Sequence, residues 1–388
     1  MSNGQTFDVI VIGLGGMGSA AAYHLAARGQ RVLGLEQYTS PHDRGSSHGS
    51  SRVIRQAYYE DTAYVPLLLR AYELWHQLER DTGRDLLTLT GGLMMGQPGS
   101  SVVTGSIRSA KEHNLPHEIL DANQIRKRFP PIQPSPDTVA LFEMNTGFIR
   151  PEESIKAHLD RAQQLGATLR FEEEVLAWEP MLDGVRVTTG TNTYEAGRLI
   201  ITAGPWAPSV LAELGIPLEV ERQVLYWFDP IGGIEPFLPS RFPVFIYENE
   251  EGLQPYGIPA AEGAHGGVKV SFYRGPIVSK CTPQTIDREI HQNEIELMRR
   301  AISQFIPSLN SELLNAVTCM YTNTPDKNFV IGLHPQHQEV TIAAGFSGHG
   351  FKFCSVVGEI LADLAVDGKT RHNIELFNPQ RFNLKEPS

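Results

Sequence analysis

Apolar positions near the start of the chain cluster in "FDVIVIG", residues 7–13, broken only by Asp8. A short run so rich in β-branched residues reads as a strand covered on both faces, as in a parallel sheet. The pattern then changes period. "SAAAYHLAARG" is a helix of small residues closed by Gly29, and "RVLGLEQ" returns to strand. In "TAYVPLLLRAYELWHQLERDTG" the apolar residues Leu67, Leu68, Ala71, Leu74, Trp75 and Leu78 recur at helical spacing, which predicts an amphipathic helix. "GGLMMG" is a short strand. "SIRSAKEHN" and "DANQIRKRFP" are short helices, the second opening at Asp121 as its N-cap. Pro151 begins and Gly166 follows another helix in "PEESIKAHLDRAQQLGA". "TLRFEEEVLAWEP", "GVRVTTG" and "GRLIITAGPW" are strands, the last ending in a glycine turn at Gly204. From 220 to 275 short strands follow one another with turn residues between them and no long helix, the pattern of an antiparallel sheet. "PQTIDREIHQNEIELMRRAISQFIP" is helical again. "AVTCMYTNTPDKNFVIG" and "EVTIAAGFSGHG" are strands, and "FKFCSVVGEILADLAVDG" is a long closing helix.

Strands and helices alternating at both ends of the chain, with an antiparallel block in between, predict an α/β protein whose nucleotide-binding part is discontinuous. Its expected segments are 1–85, 145–219 and 319–388. A second, substrate-binding domain with a mixed or antiparallel sheet and helices is expected from 86–144 and 220–318. Between the first strand and helix lies "GLGGMG", which places Gly13, Gly15 and Gly18 as G-x-G-x-x-G. Gly13 permits the tight turn, Gly15 lets backbone approach a pyrophosphate, and Gly18 lets helix and strand pack closely. The helix N-terminus offers free N–H groups to the phosphates. Glu36 ends the second strand, where a carboxylate accepts hydrogen bonds from ribose hydroxyls. Val175 and Gly204 are further expected cofactor contacts. After the second strand the chain enters an irregular glycine- and serine-rich stretch rather than another helix and strand, which favours a flavoprotein over a simple nicotinamide-binding domain.

A formal net charge of −11 argues against nucleic acid or an anionic membrane as the main partner. It leaves room for a local basic pocket. Three cysteines, Cys281, Cys319 and Cys354, have neither zinc-site spacing nor an even number for a disulfide framework. The N-terminus lacks a basic n-region and turns directly into a strand, so no signal peptide is expected. No apolar run approaches membrane-spanning length. A soluble, cytoplasmic protein is the expectation.

Two segments concentrate chemistry. "RGSSHGSSRVIR", residues 44–55, holds His48, Arg52 and Arg55 among glycines and serines. "GFSGHGFKF", residues 345–353, carries Gly348 and then Lys352 at the first turn of a helix. A cation there opposes the helix dipole, so a ligand explains it better than helix stability does. Backbone N–H groups of the same loop would stabilise the negative charge of a reduced flavin.

Those two segments, with "AVTCMYTNTPDKNFVIGLHP" and the N-terminal glycine motif, resemble the monomeric sarcosine oxidase family, which includes N-methyltryptophan oxidase and pipecolate oxidase. The resemblance covers nearly the whole chain. It implies a Rossmann-type FAD-binding domain of the glutathione-reductase type and an oxidase that demethylates sarcosine or another N-methyl amino acid with O2 and water. The products would be the amino acid, formaldehyde and hydrogen peroxide. It further implies FAD joined through a thioether to Cys319, a residue that composition alone would leave as a buried core cysteine. Arg55 and Lys352 would clamp the substrate carboxylate, for which the planar guanidinium is suited. Arg52, Lys269 and His48 would surround the flavin ring, with Tyr256 and Tyr321 on the substrate side. Lys269 alternates with Val268 and Val270 along a strand and therefore faces away from them, into the cavity or into water. In the family a lysine in this position activates oxygen. A unit charge ~4 Å from developing superoxide is worth about 4 kcal/mol at an effective dielectric of ~20. Several cations around one carboxylate also lower the pKa of a nearby substrate ammonium. The pocket would thus favour the neutral amine without a dedicated base. A monomer is expected.

The chain departs from the family's "S-H-H-G-D-T-R" at Ser47 and Ser50, and Tyr273 stands where a histidine often follows the oxygen lysine. Tyr273 therefore joins the substrate-binding candidates. An oxidase of a cyclic secondary amino acid such as proline or pipecolate, and a flavin dehydrogenase with a non-oxygen acceptor, remain open alternatives.

Overall fold

A computed structural model describes residues 7–382. Its first sheet has eight strands. Phe7–Ile12 lies at the centre, parallel to Val32–Leu35 on one side and to Thr193–Ile201 on the other. Thr168–Arg170 extends the sheet in parallel beyond Val32–Leu35. The antiparallel strands Val175–Met181 and Gly184–Thr189 extend it beyond Thr193–Ile201. Val340–Ala344 also pairs with Thr193–Ile201 in parallel, and Val330–Leu333 pairs with Val340–Ala344. The apolar run Val9–Ile12 of the first strand is explained by burial on both faces. Val9 and Val11 pack with the helices Gly16–Ala27, Val65–Thr82, Pro151–Gln164 and Cys354–Asp367, whereas Ile10 and Ile12 pack against a separate cluster with Leu199, Ile201 and Ile342. The first and last of these helices touch closely: a Cβ on Gly358 would stand 2.5 Å from that of Ala20.

The second sheet has nine strands. Its long axis is the antiparallel pair Glu219–Asp229 and Glu312–Asn323, with the short strand Ser279–Lys280 also on Glu219–Asp229, and from there it runs through Val268–Arg274, Gln254–Ile258, Val244–Glu248, Gly92–Gly96, Val139–Glu143 and Glu118–Asp121. One joint is parallel, Val244–Glu248 against Gly92–Gly96, so the sheet is mixed. Among the described residues, a third, three-stranded sheet joins Arg52–Ile54, Gly147–Ile149 and Leu87–Leu89. The boundary expected between 318 and 319 falls inside Glu312–Asn323. Its ladder continues to Asn323 opposite Glu219, so that strand belongs whole to the second sheet.

Local signals explain most element ends. Asp121 caps Ala122–Arg128 through a capping box with Gln124. The run "TLRFEEEVLAWEP" is two strands, because Glu172 adopts a left-handed φ of 57° and redirects the chain. The helix expected over 283–307 is confined to Gln292–Ser303, opened by a capping box of His291 and Glu294. No helix among the described residues is long and apolar enough to cross a membrane.

Candidate active site

A cavity of about 590 Å3 lies where the first sheet's strands end against the second sheet, the usual place for a ligand in an open α/β fold. Gly13, Gly15, Glu36, Val175, Gly204 and Gly348 all line it, as do Ile246, Tyr256, Tyr273 and Tyr321 from the second sheet. Each glycine answers to a different constraint. Gly13 has φ 83° and a Cβ there would press 2.6 Å from the Thr202 carbonyl oxygen. A Cβ on Gly18 would overlap the Gly13 carbonyl oxygen, at 1.8 Å. Gly15 is different: it has an ordinary φ of −69°, and a Cβ would meet nothing closer than the Ser47 hydroxyl at 4.0 Å. Protein packing does not demand a glycine there, so the space above its backbone is room for a ligand. It stands at the N-terminus of Gly16–Ala27, which has no side-chain cap and no acidic residue in its first turn. Such an end favours an anion. Gly204 has φ 53°, and at Gly348 (φ 79°) a Cβ would sit 2.6 Å from the Tyr321 ring.

Glu36 is buried. One carboxylate oxygen accepts from the Leu14 N–H at 2.9 Å and the other from the Tyr38 N–H at 3.1 Å, with His42 Nε2 at 3.3 Å. The acid is thereby fixed beside the glycine turn. Together the open backbone at Gly15, the uncapped helix end and this carboxylate suit a dinucleotide such as FAD. Glu36 would meet its ribose and the helix end its pyrophosphate.

At the other end of the cavity the strand Arg52–Ile54 and the short turn Phe351–Phe353 bring two cations together. Arg55 and Lys352 are both buried, and both lie over Tyr58, with the guanidinium carbon 4.1 Å and the ammonium 5.3 Å from its ring centroid. Arg55 also donates twice to Glu60, at 2.7 and 2.6 Å, and to the Ala57 carbonyl. Glu60 was not singled out in the sequence; a carboxylate five residues along an irregular turn has no periodic signal. Lys352 Nζ donates to the His349 carbonyl at 2.7 Å. Burial, reinforced by the neighbouring Arg55, lowers its pKa to about 7. His349, equally unflagged, takes a hydrogen bond from Tyr58 at Nδ1 and contacts the Lys327 carbonyl through Nε2, so it is held as the neutral Nε2–H tautomer. Burial lowers its pKa to about 4.

Tyr273 stands 6.5 Å from Tyr321 and 6.1 Å from His349, ring centroid to ring centroid, on the same wall. Burial raises the pKa of Tyr256, and the charge of Arg52 opposes that rise. Arg52 donates to the Ser46 carbonyl at 3.1 Å and lies 3.6 Å from Cys319 Sγ. Cys319 is buried beside Leu225 and Trp227. Cys281 and Cys354 lie elsewhere, the latter packed against Gly16.

Lys269 points away from Val268 and Val270, as alternation requires, and inward. Its ammonium donates to the carbonyls of Gly49 and Ser51, both at 2.6 Å. Burial and then Arg52 push its pKa well below the ordinary lysine range. His48 is also buried. Burial followed by Arg52 lowers its pKa to about 3, and its Nε2 has no hydrogen-bond partner among the described residues. It lines a second cavity of about 460 Å3 together with Gly49, Glu152 and Trp227. The sequence candidates thus fall into three neighbourhoods: a glycine cradle with Glu36, a substrate-sized end around Arg55 and Lys352, and a basic turn with His48, Arg52 and Lys269.

The family model for FAD dependent oxidoreductases matches residues 8–364. A monomeric sarcosine oxidase of Streptomyces avermitilis is 57% identical over 97% of this chain and 98% of its own length. An N-methyl-L-tryptophan oxidase of Escherichia coli is 35% identical over 97% of this chain and 99% of its own. Among solved structures, the open form of NikD, an unusual amino acid oxidase essential for nikkomycin biosynthesis, superposes with a TM-score of 0.85 at 26% identity, covering 99% of this chain and 100% of that one.

Proposed function

The chain belongs to the FAD-dependent oxidoreductase family, and from that premise we propose that it oxidises an N-methyl amino acid of the sarcosine type. In the reaction the secondary amine, O2 and water become the primary amino acid, formaldehyde and hydrogen peroxide. When bound, FAD supplies the two-electron acceptor that takes a hydride equivalent from the amine and passes both electrons to O2.

The observation that carries this reading is the convergence of two buried cations, Arg55 and Lys352, on one tyrosine-lined wall of the cofactor cavity. With Lys352 protonated, Arg55 and Lys352 set against Glu60 leave one uncompensated positive charge, the complement of a single carboxylate. That charge orients the substrate and also disfavours a second cation, so the substrate amine is held neutral and its nitrogen lone pair is available. Tyr256, Tyr273 and Tyr321 shape the apolar remainder and exclude water. Lys269, with Arg52 nearby and a neutral His48 beside it, places positive charge where negative charge develops on dioxygen. In this reading Cys319 tethers the flavin, and the substrate half of the molecule is formed by segments 86–144 and 220–323.

The test is product analysis. A panel of N-methyl and cyclic secondary amino acids is expected to give peroxide and formaldehyde in equal amounts from at least one N-methyl compound. Peroxide without formaldehyde would instead favour a cyclic substrate such as proline, and absence of peroxide from every member would overturn the oxidase reading. Acid-precipitated protein is expected to stay yellow and its Cys319→Ser variant to bleach.

A further inference from the structure

Among the described residues, the Lys269 ammonium lies 5.3 Å from the centroid of the Trp227 ring, but its hydrogen bonds are to backbone alone. Both of its hydrogen bonds go to backbone carbonyls of one three-residue turn, those of Gly49 and Ser51. Its hydrogen-bonded position therefore follows the turn. Two consecutive residues of that turn are left-handed, Gly49 at φ 93° and Ser50 at φ 65°. Glycine adopts this readily; serine does so at a cost. Gly49 is also confined from the side, since a Cβ there would lie 2.7 Å from Leu225 and 3.6 Å from Lys269 Nζ. Such a conformation persists only where its surroundings over-determine it.

Glu152 supplies that determination. One of its carboxylate oxygens accepts from the Gly49 N–H at 2.6 Å and from the Ser50 N–H at 3.1 Å. Charge-assisted bonds from two adjacent amides are stronger than neutral ones. The route that delivers Glu152 is short. Arg52 is in register with Ile149 across the small sheet, and Pro151–Gln164 begins two residues beyond Ile149. Glu152, in the first turn of that helix, is thus set against the turn preceding Arg52, where the helix dipole favours its charge. The same carboxylate opposes, through space, the lowering of the Lys269 pKa by burial.

We propose that Glu152 is a positioning residue for oxygen activation: it pins the turn at residues 49–51 from the amide side, and the turn's carbonyls in consequence hold the Lys269 ammonium in place. This rests on the oxygen role given to Lys269 above. Removing the carboxylate lets the turn relax and the ammonium retreat. Glutamine keeps an acceptor oxygen at the same place and restores most of the geometry.

The experiment compares parent, Glu152→Ala, Glu152→Gln and Lys269→Met holoproteins in three readouts: anaerobic flavin reduction by substrate, reoxidation of the reduced protein by O2, and the crystal structure. Glu152→Ala is expected to slow reoxidation about tenfold, the factor lost when a unit charge retreats by ~2 Å at an effective dielectric of ~20. Flavin reduction should be unchanged, Nζ should leave the Gly49 carbonyl, and Glu152→Gln should recover the parent rate to within about threefold. An unmoved turn and Nζ in Glu152→Ala, or parent-like reoxidation while Lys269→Met is slow, overturns the inference and leaves the role of Lys269 standing. Parent-like reoxidation by Lys269→Met overturns both.

Discussion

In the proposed function, Lys352 is the residue whose protonation state decides what the substrate end can bind. Burial lowers its pKa from the ordinary 10.5 to about 7. Between these values the unfolded chain holds a proton that the folded chain has released, so this group's contribution to stability rises with pH from about 7 towards 10. Ligand affinity runs the other way. A carboxylate needs the ammonium, so binding is strongest below pH 7 and weakens by up to ~10-fold per unit above it. Titrating a small carboxylate such as acetate against the flavin spectrum between about pH 6 and 9 should show this slope. The slope should flatten in Lys352→Met. An equal slope in the variant would remove Lys352 from the carboxylate site. Arg55, Lys352 and Lys269 were legible in the sequence as charges in glycine-rich or alternating surroundings. Glu60, His349 and Glu152 were not, because each acts through a partner distant in sequence or across an irregular turn, and no spacing rule encodes such pairs.

The turn between Phe7–Ile12 and Gly16–Ala27 separates two roles for glycine that the G-x-G-x-x-G pattern presents as one. Gly18 is required by the protein itself, since a side chain there would overlap the backbone of Gly13. Gly15 is required only by what lies above it. Gly15→Ala is therefore expected to fold with a thermal midpoint of its flavin-free form within about 2 °C of the parent's flavin-free form, yet to be purified with much less flavin. Gly18→Ala should lose several kcal/mol or fail to fold, the order of cost of overpacking a rigid contact. Equal flavin content in Gly15→Ala and parent would sink the distinction. At this scale the sequence conveyed the strong elements well: the first strand, the amphipathic helix at Val65–Thr82 and the Asp121 cap all follow from periodicity and cap chemistry. It did not convey Glu118–Asp121, Val139–Glu143 or Arg52–Ile54 as strands. These are short, and they are strands because of the partners they meet, which local pattern does not specify.

Across the whole molecule, the cavity is bounded by the glycine cradle of the first sheet and by tyrosines of the second, so a ligand that fills it couples their stabilities. On the proposal that Cys319 tethers the flavin, the Cys319→Ser variant should hold it by contacts alone. Its melting temperature is expected to depend on added FAD, rising by the equivalent of ~2.7 kcal/mol at one hundred times the dissociation constant. The parent should show no such dependence. Calorimetry at several FAD concentrations checks this, and a concentration-independent variant would contradict it. The discontinuous, two-lobed plan was readable from the switch between alternating helix and strand and consecutive strands. The exact course of Glu312–Asn323 was not, since its assignment depends on a ladder with Glu219–Asp229.

That strand has one more consequence. It carries Cys319 on the second sheet, while Gly13, Gly15 and Glu36 belong to the turn and strand ends of the first. With the proposed tether at Cys319, a flavin anchored by sulfur at one end and gripped by the cradle at the other would be a cross-link between lobes, built from a cofactor instead of a second thiol. It would limit the freedom of the denatured chain as a disulfide does, yet survive reducing agents that open disulfides.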